Sequence, residues 1–469
     1  MSEIRLTAGW VADAAGGVVV AGERAREFSG VSIDSRTLAP GDLFVAIRGE
    51  RFDGAEFAAP AVAAGAGGVV VPRGRGRDLD LENRPLVAVV EVDDTTRALQ
   101  SLARAVRRES GTKVIAITGS AGKTTTKEVT SEFLSARYRV VRNRGNLNNH
   151  IGLPLSLMEL RHRPEIAVVE LGMNHAGEIS ALVGIAEPEV RVWTNVGEAH
   201  IGFFDSMDAI AEAKAEILER AAPATLLVAN ADDERIVARV PRFGGRTLTF
   251  GVDRPAGVRA TRVVDRGIEG ISARVVTPRG DIELETPLIG RANLANVLAA
   301  TAVAIELDVP LPAIAERASR LSPASHRGEI VRLAGNVTVI DDSYNSNPTA
   351  TKRALDVLAC VGARRRVAVL GEMLELGDSA VGLHEEVGRA AVVAGVGLLV
   401  AVGGPPAAAL ANAAIRAGLA RDRVHYMAAS DEAAEVVARL VEAGDVVLVK
   451  GSRGVRTDRV VERLKVERR

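Results

Sequence analysis

At 469 residues the chain is too long for one core and suggests about three domains, on a soft prior of ~150 residues each. Hydrophobic residues make up 47% and charged residues 25%, the balance of an ordinary globular protein rather than a disordered or fibrous one. Lys plus Arg number 59 against 60 Asp plus Glu, so no net field draws the chain to nucleic acid or an anionic membrane, and any anion site must be local.

The N-terminal stretch "MSEIRLTAGWV" carries charges where a signal peptide needs an apolar core, so export is not expected. The next hundred residues mix short apolar runs ("GVVVAG", "LFVAIRG", "GGVVVP", "LVAVVEV") with turn residues, and end in a predicted helix, "TTRALQSLARAVRRES". "ESGTK" then reads as a linker.

From Lys113 the texture changes to longer apolar strands, each followed by an amphipathic helix. "KVIAITG", "EIAVVELG", "VRVWTNVG" and "TLLVANAD" do not alternate, as suits parallel strands covered on both faces. "VIAITGSAGKTTTKEVT" places a strand, a small-residue turn, Gly-Lys-Thr and a helix in order. The strict phosphate-loop spacing fails, because Ile117 stands where the first glycine belongs. The working parts remain. Gly119 and Gly122 let the turn from Ser120 and Ala121 aim backbone N–H groups at an anion, and the helix N-terminus adds partial positive charge. Lys123 reaches outer phosphates, Thr124 offers a hydroxyl to Mg²⁺, and Thr125 continues the first turn.

Other strand ends supply further polar groups. "AVVELGMNHAGEI" leaves Glu170 at a strand tip, followed by Asn174 and His175; "VWTNVGEAHIGFF" leaves Asn195, Glu198 and His200. A strand-end Glu and a strand-end His in one sheet are a candidate pair of Mg²⁺ ligands. "NRGNLNNHIGLPLSL" brings Asn143, Asn146, Asn148 and Asn149 ahead of an apolar helix, where amides either bind a polar ligand or cap turns. "IAEAKAEIL" reads by spacing as a surface helix, with Lys214 among Glu212 and Glu216, and gives no functional assignment.

From "TLTFGVDR" to "DIELETPLIG" the pattern becomes short alternating strands, predicting an antiparallel extension before the helix "NLANVLAATAVAIEL". "RLSPASHRGEI" reads as a second boundary. Beyond it "VTVIDD", "RVAVLGE", "LLVAVGG" and "DVVLVKGS" predict a second open α/β sheet. The loop "DDSYNSNP" there offers Tyr344, Asn345 and Asn347 beside two acids. The charge-free stretch between Arg389 and Arg416 is long enough to span a bilayer, but its glycines and "GGPP" divide it into a buried strand between two Ala-rich helices. Cys360, the single cysteine, excludes an internal disulfide and fits a reducing cytosol.

Taken together these segments resemble the Mur ligases, the ATP-dependent amide-forming enzymes of bacterial peptidoglycan synthesis. The resemblance runs from "SIDSRTLAPGDLFVAIRGERFDG" through "TGSAGKTTTKE", "GNLNNHIGLPLSL", "ELGMNHAGEI", "TNVGEAH", "AKAEIL" and "DDSYNSNPTA" to "LGEMLELG" and "VKGSRG". It implies an α/β fold of three domains. These are a small mixed N-terminal domain for a UDP-sugar (1–109), a central P-loop parallel-sheet domain for ATP (110–323) and a C-terminal Rossmann-like domain (324–469). "DDSYNSNP" and "LGEMLELG" favour the branch that joins D-alanyl-D-alanine to UDP-N-acetylmuramoyl-tripeptide over the branch that adds the third residue.

The resemblance further implies a uridine site at Ser32, Asp34, Ser35 and Arg36, with Arg48 and Gly49 nearby. It implies metal ligation by Thr124, Glu170, His200 and a carbamylated Lys214, and nucleotide contacts from Asn293, Arg327 and Asp342. Asn148, Asn149, Tyr344, Asn345 and Asn347 are candidates for substrate contact. Ala292 departs from the His or Phe that the family often carries at that place. ATP and Mg²⁺ are the implied cofactors, and the implied setting is a cytoplasmic monomer without nucleic acid or membrane insertion. The rival expectations are a sister ligase adding diaminopimelate or lysine, and a P-loop nucleotide-binding protein with no ligase activity.

Overall fold

The computed structural model describes residues 3–79, 86–143 and 145–468. The chain forms two units, one from Met1–Ala116, Tyr138–Met173 and Gly177–Arg191, the other from Ile117–Arg137, Asn174–Ala176 and Val192–Arg469.

In the first unit a five-stranded sheet runs in the order Val18–Ala21, Ala88–Val92, Gly68–Pro72, Leu43–Val45, Val31–Ser32. The first pair is antiparallel and the others are parallel. The apolar runs Val69, Val70, Val71 and Ala88, Val89, Val90 are buried without a break, as parallel strands covered on both faces require. The helix Ala58–Ala63 packs its small residues on one face, against Phe44, Val69 and Val71.

The predicted helix forms as Thr95–Ser110. Asp94 caps it, accepting from Thr96 N at 2.8 Å and Arg97 N at 3.0 Å, and Leu99, Leu102, Ala103 and Val106 make the buried stripe. The expected linker after it is absent. Gly111 ends the helix in left-handed backbone (φ 68), and the next strand, Lys113–Thr118, begins two residues later. Buried Thr112 donates its hydroxyl to Pro164 O at 2.7 Å, and Arg107 donates to Ala186 O at 2.8 Å, so this connection is packed rather than loose. The strand Val140–Arg142 lies parallel to Ile166–Glu170.

In the second unit the strands Leu226–Asn230, Arg246–Gly251 and Val258–Asp265 are parallel in succession. The antiparallel extension therefore starts two strands later than the alternation suggested, with Ile271–Thr277 and Gly280–Thr286. Asp232 is the reason. Its carboxylate accepts from Val252 N, Asp253 N and Arg254 N at 2.7, 3.1 and 2.8 Å, turning the short connection so that Val258 re-enters in the same direction.

The C-terminal sheet of this unit runs Glu329–Leu333, Val337–Asp342, Asp445–Lys450, Arg365–Gly371, Leu398–Val402, Val424–Met427. Only the first pair is antiparallel. Successive residues of each strand feed opposite cores: Val447 and Val449 join one, Val446 and Leu448 the other. The charge-free stretch divides as expected into the helix Ala380–Val393, the strand Leu398–Val402 and the helix Pro405–Arg416. Among the described residues no helix is long and apolar enough to cross a membrane.

Candidate active site

The strand Lys113–Thr118 leads into the turn Gly119–Gly122 and the helix Lys123–Leu134. Both glycines are required. Gly119 has φ 148, and a Cβ there would lie 2.0 Å from Thr194 Oγ1; Gly122 has φ 81, and a Cβ would lie 2.4 Å from Asn296 Oδ1. The turn is braced by the next strand end. Asn195 Oδ1 accepts from Ala121 N at 2.9 Å, its Nδ2 donates to Ala121 O at 2.8 Å, and Ser120 N donates to Asn195 O at 3.0 Å. Ser120 and Ala121 therefore use their N–H groups to hold the loop, and the donors for an anion come from the first helical turn beyond them. Lys123 Nζ arches back to donate to Gly119 O at 2.7 Å. A rigid turn with no room for a Cβ, a helix N-terminus and an ammonium over it fit a polyphosphate.

Gly122→Ala tests this fit. The backbone strain alone is on the order of 1–3 kcal/mol. Calorimetric ATP affinity should fall about tenfold or more, each tenfold being ~1.4 kcal/mol. A folded variant with unchanged affinity would mean that the turn is no cradle.

Lys214 corrects the spacing argument. It lies on the helix Met207–Ala215, but at 2% exposure it belongs to the buried face with Ile210, Ala211 and Ala213. Glu212 turns outward to Arg239 Nε at 3.0 Å and Arg242 Nη1 at 2.7 Å. Burial, and secondarily the charge of Lys123, push the Lys214 amine well below the usual lysine range. A buried amine so biased toward its neutral form is the species that adds CO₂, so the side chain fits the carbamate that the resemblance implies.

His200, half-buried, follows the strand Val190–Trp193. Its Nδ1 lies 2.6 Å from Glu375 Oε2, and this contact holds the Glu375 carboxyl below its usual range. Both residues have left-handed backbone, φ 66 and φ 65, which costs a non-glycine residue of order 1–3 kcal/mol. Thr349 donates its hydroxyl to Glu198 Oε2 in the same region.

Around the C-terminal sheet, the Arg327 guanidinium stacks 4.0 Å over the Tyr344 ring. Lys450 Nζ lies 2.6 Å from Asp342 Oδ2 and donates to Asn345 O at 3.0 Å. Asn347 Oδ1 accepts from Ala350 N at 2.8 Å, capping the helix Pro348–Cys360. Arg327, Asp342, Tyr344 and Asn345 are thus brought together, and Lys450, whose side chain is 4% exposed, joins them unforeseen. Asn293, on the helix Arg291–Glu306, donates to Ile289 O at 2.8 Å and accepts from Asn296 Nδ2 at 3.2 Å.

In the first unit Glu170 is buried at the end of Ile166–Glu170, its N–H donating to Asn143 Oδ1 at 3.0 Å. Of the two roles open to the amide-rich loop, Asn149 performs capping, accepting from Ile151 N at 3.2 Å and Gly152 N at 2.8 Å. Asn148 stands against Gly172, whose N–H donates to the Asn148 carbonyl at 2.8 Å. Among the uridine candidates, Arg36 forks onto Asp34 at 2.9 and 2.7 Å, lowering that carboxyl to about 2, and Ser32 Oγ accepts from Asp34 N at 3.1 Å. Ser35 is half-buried in the same turn. Arg48 forms an isolated bridge with Asp53, and Gly49 N donates to Phe52 O at 2.9 Å.

Residues 27–107 match the Mur ligase family catalytic domain, 117–304 the Mur ligase middle domain and 326–453 the Mur ligase glutamate ligase domain. A UDP-N-acetylmuramoyl-tripeptide–D-alanyl-D-alanine ligase of Bacillus subtilis strain 168 is 34% identical over 447 residues, 93% of each chain. A crystal structure of MurF from Acinetobacter baumannii superposes with a TM-score of 0.89 at 32% identity, covering 99% of this chain and 100% of that one. The MurF ligase of Thermotoga maritima, solved in complex with ADP, gives 0.80 at 29% identity over 93% and 97%. With three domain matches in family order and this identity across nearly its whole length, the chain belongs to the Mur ligase family.

Proposed function

We propose that this chain joins D-alanyl-D-alanine to UDP-N-acetylmuramoyl-tripeptide at the expense of ATP, in the cytoplasmic synthesis of peptidoglycan precursors. The observation that carries the proposal is the braced Gly119–Thr124 cradle with Lys123 folded over it. Residues 1–109, 110–323 and 324–469 are taken as the UDP-sugar, ATP and incoming-dipeptide domains of a monomer.

The chemistry needs such a cradle. A carboxylate does not react with an amine at neutral pH, because its leaving group would be oxide. Phosphorylating the tripeptide's terminal carboxylate makes an acyl phosphate; the D-alanyl-D-alanine amine attacks it, passes a tetrahedral intermediate and expels phosphate. Both steps gather negative charge in one small volume, where Lys123 and the first-turn N–H groups stabilise it. Mg²⁺, when bound, would offset phosphate charge. Thr124, His200 and a carbamylated Lys214 are its proposed holders, with Glu170 proposed for the same role from its own strand end.

ADP release measured with UDP-N-acetylmuramoyl-tripeptide and ATP should start on addition of D-alanyl-D-alanine and stay at background with diaminopimelate or lysine. Release triggered by one of those instead would assign the chain to the sister step. Slow release indifferent to every amine and to the UDP-sugar would leave only a nucleotide hydrolase.

A further inference from the structure

The loop after Val190–Trp193 is tied to the segment after Arg365–Gly371 more tightly than chain connection requires. His200 Nδ1 meets Glu375 Oε2 at 2.6 Å, and Gly202 N donates to Glu375 O at 2.9 Å. Ile201, between them, packs against the core that contains Leu376. Glu198 takes the Thr349 hydroxyl on the other side. His200 and Glu375, the two residues that touch, both hold left-handed backbone without being glycine. Left-handed backbone on both sides of one contact carries a conformational cost at each position, and such strain points to function.

We propose that Glu375 is a positioning residue for His200: its carboxylate takes the hydrogen bond from Nδ1–H, fixes that tautomer and leaves the Nε2 lone pair for a divalent cation. A carboxylate behind a ligating imidazole orients the ring and raises its basicity. Because the two residues come from different loops, the ring is oriented only while those loops are docked. The metal role of His200 rests on the ligase reading above, whereas the tautomer does not.

The chain has seven histidines, few enough for a histidine-labelled ¹⁵N spectrum of the ligand-free protein, with His200 assigned by loss of its signals in His200→Gln. The wild type should show His200 protonated on Nδ1. Glu375→Ala should lose that signature, and Mn²⁺ titration followed by electron paramagnetic resonance should weaken about 10–100-fold, the usual consequence of removing such a partner. Glu375→Asp should recover part of both. A wild-type ring protonated on Nε2, or a Glu375→Ala protein with unchanged tautomer or unchanged Mn²⁺ affinity, overturns the proposal. If the wild-type protein forms no amide bond, the ligase reading fails while the spectrum and the titration still decide this one.

Discussion

Lys123→Ala should lower turnover by about 10²–10³-fold, the typical loss when one preorganised donor to developing negative charge is removed. The unfolding midpoint should barely move, because the cradle does not depend on the lysine for its shape. Asn195 holds Ala121 through both its amide atoms, Ser120 is tied to Asn195 and Gly197, and Gly122 is closed over by Asn296. The ammonium instead rests on Gly119 O, over the concave side of the turn, where an outer phosphate would draw it. Lys123→Arg should not restore the rate, since a planar fork does not replace a compact point charge in a confined turn. The check is steady-state ADP release beside a thermal melt. Near-normal turnover by a folded Lys123→Ala protein would remove Lys123 from the chemistry and the cradle from the proposal.

Local order was legible in the sequence wherever neighbours along the chain determine it. The strand–turn–helix around Lys123 could be placed because its two glycines, its lysine and its flanking valines and isoleucines are contiguous. The unalternating valine runs likewise marked strands buried on both faces. What escaped notice are contacts between distant residues. Asn195 is 74 positions from the Ala121 it braces, Thr126 meets Asn296 across 170 positions, and Glu375 is 175 from His200. Nothing in the composition of "LGEMLELG" distinguishes Glu375 from the acid at Glu372. Spacing places Lys214 on the wrong face of its helix for a related reason. Glutamates on either side of it look like the partners of an exposed helix, and only the tertiary position of Arg239 and Arg242 draws Glu212 outward and leaves the lysine inside. The role proposed for it rests on family resemblance, not on spacing.

Lys214→Met should be more stable than the uncarbamylated wild-type protein and nearly inactive. Methionine keeps an unbranched side chain in the buried slot and removes the ionisable group. The direction follows from proton linkage. In the folded state the amine titrates well below its usual value, chiefly through burial and then through Lys123, while in the unfolded chain it titrates normally. Between those two pH values the unfolded chain binds the extra proton, so the stability of the unmodified protein rises with pH across that window. At neutral pH the lysine is therefore a penalty, one that fades as pH climbs toward the ordinary lysine range. Replacing it should raise the unfolding midpoint by on the order of 2–4 °C for each kcal/mol of penalty removed. It should also flatten the alkaline rise of stability relative to the wild type, which isolates this group from the other lysines and tyrosines titrating there. A stabilising change that abolishes activity is the expected mark of a residue kept for chemistry. Carbamylation adds a separate consequence. A small cavity left by Lys214→Ala should admit formate, acetate or propionate as a substitute carboxylate, and activity should return with added acid. A Lys214→Met protein less stable than the uncarbamylated wild type would refute the burial penalty, and Lys214→Ala unresponsive to every short acid, with its metal binding intact, would refute the carbamate.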